Sequence, residues 1–248
     1  MLNYNPHEGK SRRLEVKNQY RIMPMHFSRA ATGLTLLPIL ALFAGCPEPP
    51  ASRAPASSTA VTTPGDPVLR ERAEKDADFR SEDSPLIPEL RPGFRGLSYY
   101  PIDPALRFTV PLKRYAAPAP VRLGTNTGEI RSGVRYGYFE FRAGGRECRL
   151  QVYRLEDSPG AGGSHLFIPF RDATSGQETY EAGRYLELTE NTSGMYDLDF
   201  NRAHNPFCAY NSEYSCPVPP AENTLAVPIR AGEKKFDHAE ARGRGAGS

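Results

Sequence analysis

The stretch YGYFEFRAGGRECRLQVYRL, residues 136–155, decides the fold. Apolar residues recur at every second position on both sides of the sequence RAGGR at 142–146. This period is typical of half-buried strands, and a short connection that contains glycine is typical of a β-hairpin. Cys148, Leu150 and Val152 would share one face of the second strand. The sequence therefore predicts an antiparallel hairpin, from which a sheet extends in both directions along the chain.

Further short segments with the same period lie on either side of this hairpin. They cover residues 106–110, 165–170, 184–188, 196–200 and 225–229, with Gly, Pro, Asn or Ser in the breaks between them. Near the start, Asp66 is suited to cap a helix and Pro67 to begin it. We expect a mainly β fold, a single antiparallel sandwich or barrel-like domain of about seven to nine strands with a short N-terminal helix.

The N-terminal segment has the features of an export signal. An apolar run at 30–44 is too short to cross a bilayer core of roughly 30 Å, but it matches the apolar part of a secretory signal. The sequence LFAGC, which ends at Cys46, resembles a bacterial lipobox and implies lipidation of that cysteine after cleavage. An ordinary signal peptide or a short buried helix are the alternatives. Residues 1–45 are interpreted as the leader, and a start at Met23 or Met25 would give it a conventional length.

Composition divides the rest of the chain into three parts. Residues 46–66 carry the lipidated cysteine and a tether rich in Pro, Ala, Ser and Thr, residues 67–236 form the β-rich domain, and 237–248 read as a disordered tail. Residues 1–45 hold six of the 31 Lys and Arg and two of the 29 Asp and Glu, which leaves 25 basic and 27 acidic residues. This balance argues against nucleic acid as a partner. The expected partner is the membrane, through the lipid, with the domain in the periplasm or at the cell exterior.

The segment 169–223 is unusually rich in polar side chains. Arg184 has the same strand parity as Leu186, and Asp172 has the same parity as Phe170. If the apolar residues face the core, both charged groups point inward, where an arginine needs a carboxylate partner. We therefore predict an Arg184–Asp172 ion pair with the two side chains within about 6 Å.

Twelve residues of this segment are the candidate ligand-binding set. They are Arg171, Asp172, Thr174, Glu178, Thr179, Tyr180, Arg184, Tyr185, Asp199, Asn201, Arg202 and Asn205. Arginines bind carboxylates and phosphates well, so the leading hypothesis is one polar pocket for a small anionic or polyhydroxylated ligand. A periplasmic hydrolase that uses Asp172 or Glu178 as acid or base is one alternative. The other is a structural envelope protein in which the cluster is a fold-locking network.

Acidic residues and cysteines in the same segment support simpler interpretations. Asp199 and Asn201 alternate with the apolar residues of their strand, so a solvated face is expected for them. Cys208 and Cys216 could form a disulfide in an oxidising compartment, which would leave Cys148 free. The spacing of these cysteines from the nearby His204 fits no standard zinc site. We predict no metal and no cofactor.

Three long strings resemble the bacterial family called domain of unknown function 1684. They are FRGLSYYPIDPALRF (94–108), FIPFRDATSGQETYEAGRYLEL (167–188) and the segment from LDFNRAHNPFC to AGEKKF (198–236). The family pattern carries over onto positions including Arg171, Asp172, Thr174, Thr179, Arg184, Asp199, Asn201, Arg202, Asn205, Cys208, Cys216, Glu222 and Asn223. The resemblance implies that these positions matter but supplies no activity. It also implies thiols at Cys208 and Cys216, because many relatives lack an export signal.

Overall fold

The computed structural model describes residues 65–157 and 165–245, and these belong to one compact unit. The predicted leader, the predicted lipidation position Cys46 and the predicted tether up to residue 64 lie outside the described residues. Among the helices that are described, none has the length and apolar character that would be needed to cross a bilayer.

The described chain is mainly β, as predicted, and its strands form two antiparallel sheets. The strands are β1 (Arg107–Pro111), β2 (Lys113–Gly124), β3 (Ile130–Ala143), β4 (Arg146–Leu155), β5 (His165–Phe170), β6 (Arg184–Thr189) and β7 (Met195–Asp199). One sheet has the order β2-β3-β4-β5-β6, and the other pairs β1 with β7. Within the described residues the sheets form no closed barrel.

The central hairpin joins β3 to β4, as the sequence predicts. Ala143 pairs with Arg146, and only Gly144 and Gly145 lie between them. Both glycines have positive φ angles, +54° and +75°. Two consecutive positive φ angles are what the favoured two-residue hairpin turn requires, and glycine adopts them without steric cost.

Both sheets contribute to the main hydrophobic core. From the five-stranded sheet come residues such as Phe139, Leu150 and Ile168, all fully buried. Phe200, which directly follows β7, lies at the junction, because its ring contacts those of Phe108, Phe141 and Phe170. The small sheet therefore covers one face of the large one, and the chain after β7 starts against this core.

Helix α1 (Pro67–Arg80) begins as predicted, since the Asp66 side chain accepts a hydrogen bond from the Val68 amide at 3.0 Å. Val68 and Phe79 are its buried residues. Leu69, next to Val68, is 36% exposed. Between Val68 and Phe79, the helix contacts the rest of the domain through charged side chains.

Two segments differ from the expectation. Residues 225–229 form no strand, although Leu225, Val227 and Ile229 are all buried. Every second residue of this segment is therefore buried, as the sequence pattern indicates. Part of its backbone hydrogen bonding, however, goes to side chains and loops rather than to a neighbouring strand. The tail, expected to be disordered, forms helix α2 (His238–Gly245). It starts where His238 Nε2 lies 2.8 Å from the Ala209 carbonyl oxygen.

Candidate functional site

Arg184 and Asp172 form the predicted ion pair. Arg184 is the first residue of β6 and pairs with Phe170 at the end of β5, so its side chain enters the core. Its Nη2 lies 2.8 Å from Asp172 Oδ2, and the two side chains are 0% and 1% exposed. Strand parity correctly placed both groups inside.

The remaining bonds of this pair go to the protein itself. Arg184 also donates to the backbone carbonyls of Ile229, at 2.8 Å, of Glu233, at 3.1 Å, and of Ala231. Asp172 accepts from the amide and the hydroxyl of Thr174 and from the Ile229 amide. The Thr174 and Thr179 hydroxyl oxygens lie 2.9 Å apart. We call Asp172, Thr174, Thr179, Arg184 and these three carbonyls the Arg184 network. It attaches the irregular C-terminal segment to the end of the large sheet.

Glycines permit the close approach on which this network depends. Gly183 has a φ of +101°, and a Cβ atom there would lie 2.5 Å from the Phe170 carbonyl oxygen. Gly232, between two of the carbonyls that Arg184 binds, has a φ of +75°, and its Cβ would lie 2.3 Å from the Ala203 carbonyl oxygen. Any larger residue at either position would push the backbone away from the arginine.

A second buried carboxylate connects the same segment to helix α1. Glu233 is 1% exposed and accepts from Lys75 Nζ at 2.5 Å, from the Asn205 amide at 2.8 Å and from the Tyr210 hydroxyl. Burial by itself would raise the pKa of Glu233, but the charge of Lys75 and these hydrogen bonds outweigh it, and the pKa is lowered. Sequence reasoning missed Glu233, because the string AGEKK has the composition of an exposed loop.

An open cleft lies at the end of the small sheet. Its volume is about 350 Å³, and it is lined by Pro67, Arg107, Phe108, Thr109, Asp197, Asp199 and Arg202. Asp199 Oδ2 forms an ion pair with Arg107 Nε, 3.0 Å away, and accepts a hydrogen bond from Arg202 Nη1 at 3.1 Å. Arg202 also binds Glu71 of α1 through two nitrogens. Both arginine side chains remain 34% exposed. We call this site the Arg202 cleft.

The expected solvent exposure of Asp199 and Asn201 is wrong, because they are 4% and 1% exposed. Strand β7 ends at Asp199, and the chain turns into a short 3-10 helix, Phe200–Arg202, that the carboxylate of Asp199 caps. Asn201 then exchanges hydrogen bonds with the backbone of Asp103, at 2.8 and 2.9 Å. The alternation of the strand stops one residue earlier than the sequence indicates.

Four other candidates lie elsewhere. Glu178 binds Arg230 and the Tyr100 hydroxyl, and the hydrogen bonds from these partners lower its pKa. Tyr185 belongs to a second small core on the other face of the sheet and donates to the Pro217 carbonyl. Arg171 is half-buried, and its Nε has no hydrogen-bond partner among the described residues. Tyr180 lies beside Cys208.

Asn205, the last of the twelve, is buried beside Glu233 and donates to the Lys234 carbonyl at 2.9 Å. Only Asp199 and Arg202 of the predicted set line the Arg202 cleft. The candidate residues therefore separate into a buried network, an open cleft and several outlying contacts, rather than lining one pocket.

The structure has Cys148, Cys208 and Cys216 as free thiols, so the possible Cys208–Cys216 disulfide is not formed in it. The two cysteines are nevertheless in contact, because the Cys208 amide donates to Cys216 Sγ at 3.2 Å. Among the described residues, no group of three or more His, Cys, Asp and Glu is arranged to hold a metal ion.

Comparisons with known proteins place the domain in a family. Residues 92–234 match the model of DUF1684, described as a protein of unknown function. An uncharacterised protein of Haloarcula marismortui, solved in solution by NMR, is 35% identical, with a TM-score of 0.55. The match covers 70% of this chain and 94% of that one. No curated protein matches the chain.

Proposed function

The chain belongs to the DUF1684 family, and because that family brings no activity with it, we propose a function from the geometry: a non-catalytic envelope module. The module is a β-rich domain tethered to the membrane through a lipid on Cys46. Its buried polar residues stabilise the fold rather than bind a ligand. The observation that carries this proposal is Arg184, which is 0% exposed and whose bonds go to protein atoms.

The arrangement of the carboxylates weighs against the hydrolase alternative. Both oxygens of Asp172 accept bonds from Arg184, Thr174 and Ile229, and the side chain has almost no contact with solvent. A general acid or base must reach the proton that it transfers. Glu178 is more accessible, but its pKa is lowered by Arg230 and Tyr100, which favours a permanently ionised carboxylate. Neither group has the environment that acid catalysis at neutral pH requires.

Membrane anchoring is tested by labelling cells that express the full chain with radioactive palmitate. The wild-type protein should incorporate the label and remain with the membrane fraction, whereas Cys46→Ser should do neither. Cys148→Ser is the matched control, because it removes a cysteine that lies within the folded domain. Equal labelling of Cys46→Ser and the wild type would refute the anchor and leave the assignment of the buried network untouched.

The Arg202 cleft supports a second candidate function, the binding of a small polyhydroxylated ligand. It is open, and it is lined by two arginines with partly exposed side chains beside the carboxylates of Asp197 and Asp199. Hydroxyl groups can accept from arginine and donate to carboxylate at once, so a sugar suits this mixture better than a simple anion does. The carboxylates of Asp197 and Asp199 also offset the positive charge of the two arginines, which weakens the attraction of the cleft for an anion.

A thermal-shift screen with monosaccharides, sugar acids and sugar phosphates tests this second candidate. A ligand at 100 times its dissociation constant stabilises the folded state by about 2.7 kcal/mol, which is readily measured. The stabilisation should be lost in Arg202→Ala and kept in Arg149→Ala, which removes an exposed arginine on the β3–β4 hairpin, away from the cleft lining. A ligand whose effect survives Arg202→Ala would not occupy this cleft.

A further inference from the structure

Two cysteines and a tyrosine meet where the segment 207–217 passes Tyr180. Cys208 lies in the 3-10 helix Phe207–Ala209, and Cys216 lies eight residues later, just before Pro217. The Cys208 amide donates to Cys216 Sγ at 3.2 Å, which places the Cys216 sulfur against the backbone of Cys208. The Tyr180 hydroxyl lies 3.9 Å from Cys208 Sγ. We call these residues the thiol pair and its tyrosine.

The two thiols differ in accessibility. Cys208 is half-buried, whereas Cys216 is 1% exposed. Cys216 is also held firmly, because its amide donates to Asn126 Oδ1 at 2.7 Å and its carbonyl accepts from the Asn126 amide at 3.1 Å. Of the two residues, Cys208 is therefore the one that solvent reaches, whereas Cys216 is enclosed.

Their ionisation differs in the same sense. The hydrogen bond from Cys216 and, to a lesser degree, that from Tyr180 lower the pKa of Cys208, although burial and the carboxylate of Glu181 oppose them. The bond to Cys208 and burial raise the pKa of Cys216. A thiolate is the nucleophilic form of cysteine, so the accessible member of the pair is also the more reactive one.

We propose that Cys208 and Cys216 form a peroxide-reactive dithiol centre, in which Cys208 attacks a hydroperoxide and Cys216 resolves the product. In the first step the Cys208 thiolate attacks one oxygen of the O–O bond. That bond breaks, Cys208 becomes a sulfenic acid, and the other oxygen leaves as an alcohol or water after taking a proton. In the second step the Cys216 sulfur attacks the Cys208 sulfur, the S–OH bond breaks, and water leaves with the Cys216 proton. The net change is oxidation of two thiols to a disulfide and reduction of one hydroperoxide.

Cys148 provides an internal comparison within the same chain. It is 8% exposed in strand β4, and burial raises its pKa. The Arg146 carbonyl oxygen lies 3.7 Å from its sulfur. A thiol in this environment has neither the ionisation nor the resolving neighbour of Cys208, so it should react slowly with the same reagent.

The test treats the reduced full chain with one equivalent of hydrogen peroxide and maps the products by mass spectrometry. The wild-type peptide that spans residues 208–216 should lose two hydrogen atoms, through a Cys208–Cys216 disulfide that dithiothreitol reverses. Cys216→Ser should instead trap a sulfenic acid on Cys208, which dimedone labels. Cys208→Ser should lose this labelling and slow peroxide consumption at least tenfold, whereas Cys148→Ser should consume peroxide at the wild-type rate.

Other outcomes overturn the proposal, and the wild-type measurement keeps it falsifiable even if a serine variant folds poorly. Dimedone labelling that falls mainly on Cys148, or equal rates for Cys208→Ser and the wild type, would contradict the assigned roles. Intact thiols at Cys208 and Cys216 after the wild-type protein has been exposed to peroxide would contradict the centre itself. This inference does not depend on the proposed anchoring or on the Arg202 cleft.

Discussion

The Arg184 network and the Arg202 cleft use the same chemistry in different surroundings. In each, an arginine binds an aspartate that follows or ends a strand, at 2.8 and 3.1 Å. Arg184 is completely buried, whereas the side chain of Arg202 is 34% exposed. Loss of one partner leaves an unpaired buried charge in the first case, while water can replace the lost partner in the second.

This difference separates two roles that the sequence could not distinguish. A buried arginine that binds three backbone carbonyls fixes the path of the chain. An exposed arginine at a cleft can exchange part of its bonding for a ligand. Similar residue types therefore suit the proposed structural role at one end of the segment and the proposed ligand binding at the other.

The largest predicted effect is the loss of Arg184. Arg184→Ala should lower the free energy of unfolding by about 3–5 kcal/mol, because Asp172 would remain as an unpaired buried carboxylate and three carbonyls would lose their donor. Since domains of this kind are stable by about 5–15 kcal/mol, the variant would be close to unfolding. Urea denaturation measures the change. Arg202→Ala is the matched control and should cost no more than about 1 kcal/mol.

An intermediate effect is expected at Gly232, which brings the carbonyl-bearing segment to Arg184. Gly232→Ala would place a Cβ atom 2.3 Å from the Ala203 carbonyl oxygen at a positive φ angle. The expected cost is about 1–3 kcal/mol, measured by thermal denaturation. Gly124→Ala adds its methyl group at a position with nothing within 4 Å, so it should change stability by less than about 0.5 kcal/mol. Equal effects of the two changes would contradict the close approach.

The smallest effect concerns the pH dependence of stability. Because the pKa of Glu233 is lowered on folding, its contribution is present above its unfolded pKa of about 4.3 and is lost as the pH falls through its folded pKa. Glu233→Gln should therefore flatten the decline in stability at acid pH. Glu147→Gln, which changes a carboxylate that is 74% exposed, is the control. If the stability of Glu233→Gln and of the wild type declined in parallel at acid pH, Glu233 would not be the group that causes the decline.

The sequence predicted those features that depend on local pattern. Period-two alternation identified the β3–β4 hairpin, and parity placed Arg184 and Asp172 inside, because successive side chains of a strand point to opposite faces. It missed β2, where Pro118 and Pro120 interrupt the expected pattern of a strand.

What the sequence could not supply are contacts between distant parts of the chain. Glu233 meets Lys75, 158 positions away, and Arg202 meets Glu71, 131 positions away. Neither pairing leaves a signal in the local pattern of charges. For this reason the candidate residues were expected in one pocket, although the fold distributes them between the core and the surface.

A double-mutant cycle on Asp172 and Arg184 tests most directly whether their buried ion pair stabilises the fold. Unfolding free energies of Asp172→Ala, Arg184→Ala and the double variant would be measured by urea denaturation in the presence of sucrose, which favours the folded state. The double variant should lose less stability than the two single variants together, by at least about 1 kcal/mol. Additive losses of unfolding free energy, each below about 1 kcal/mol, would contradict a stabilising role for the pair. Arg184 would then again be a candidate ligand-binding residue.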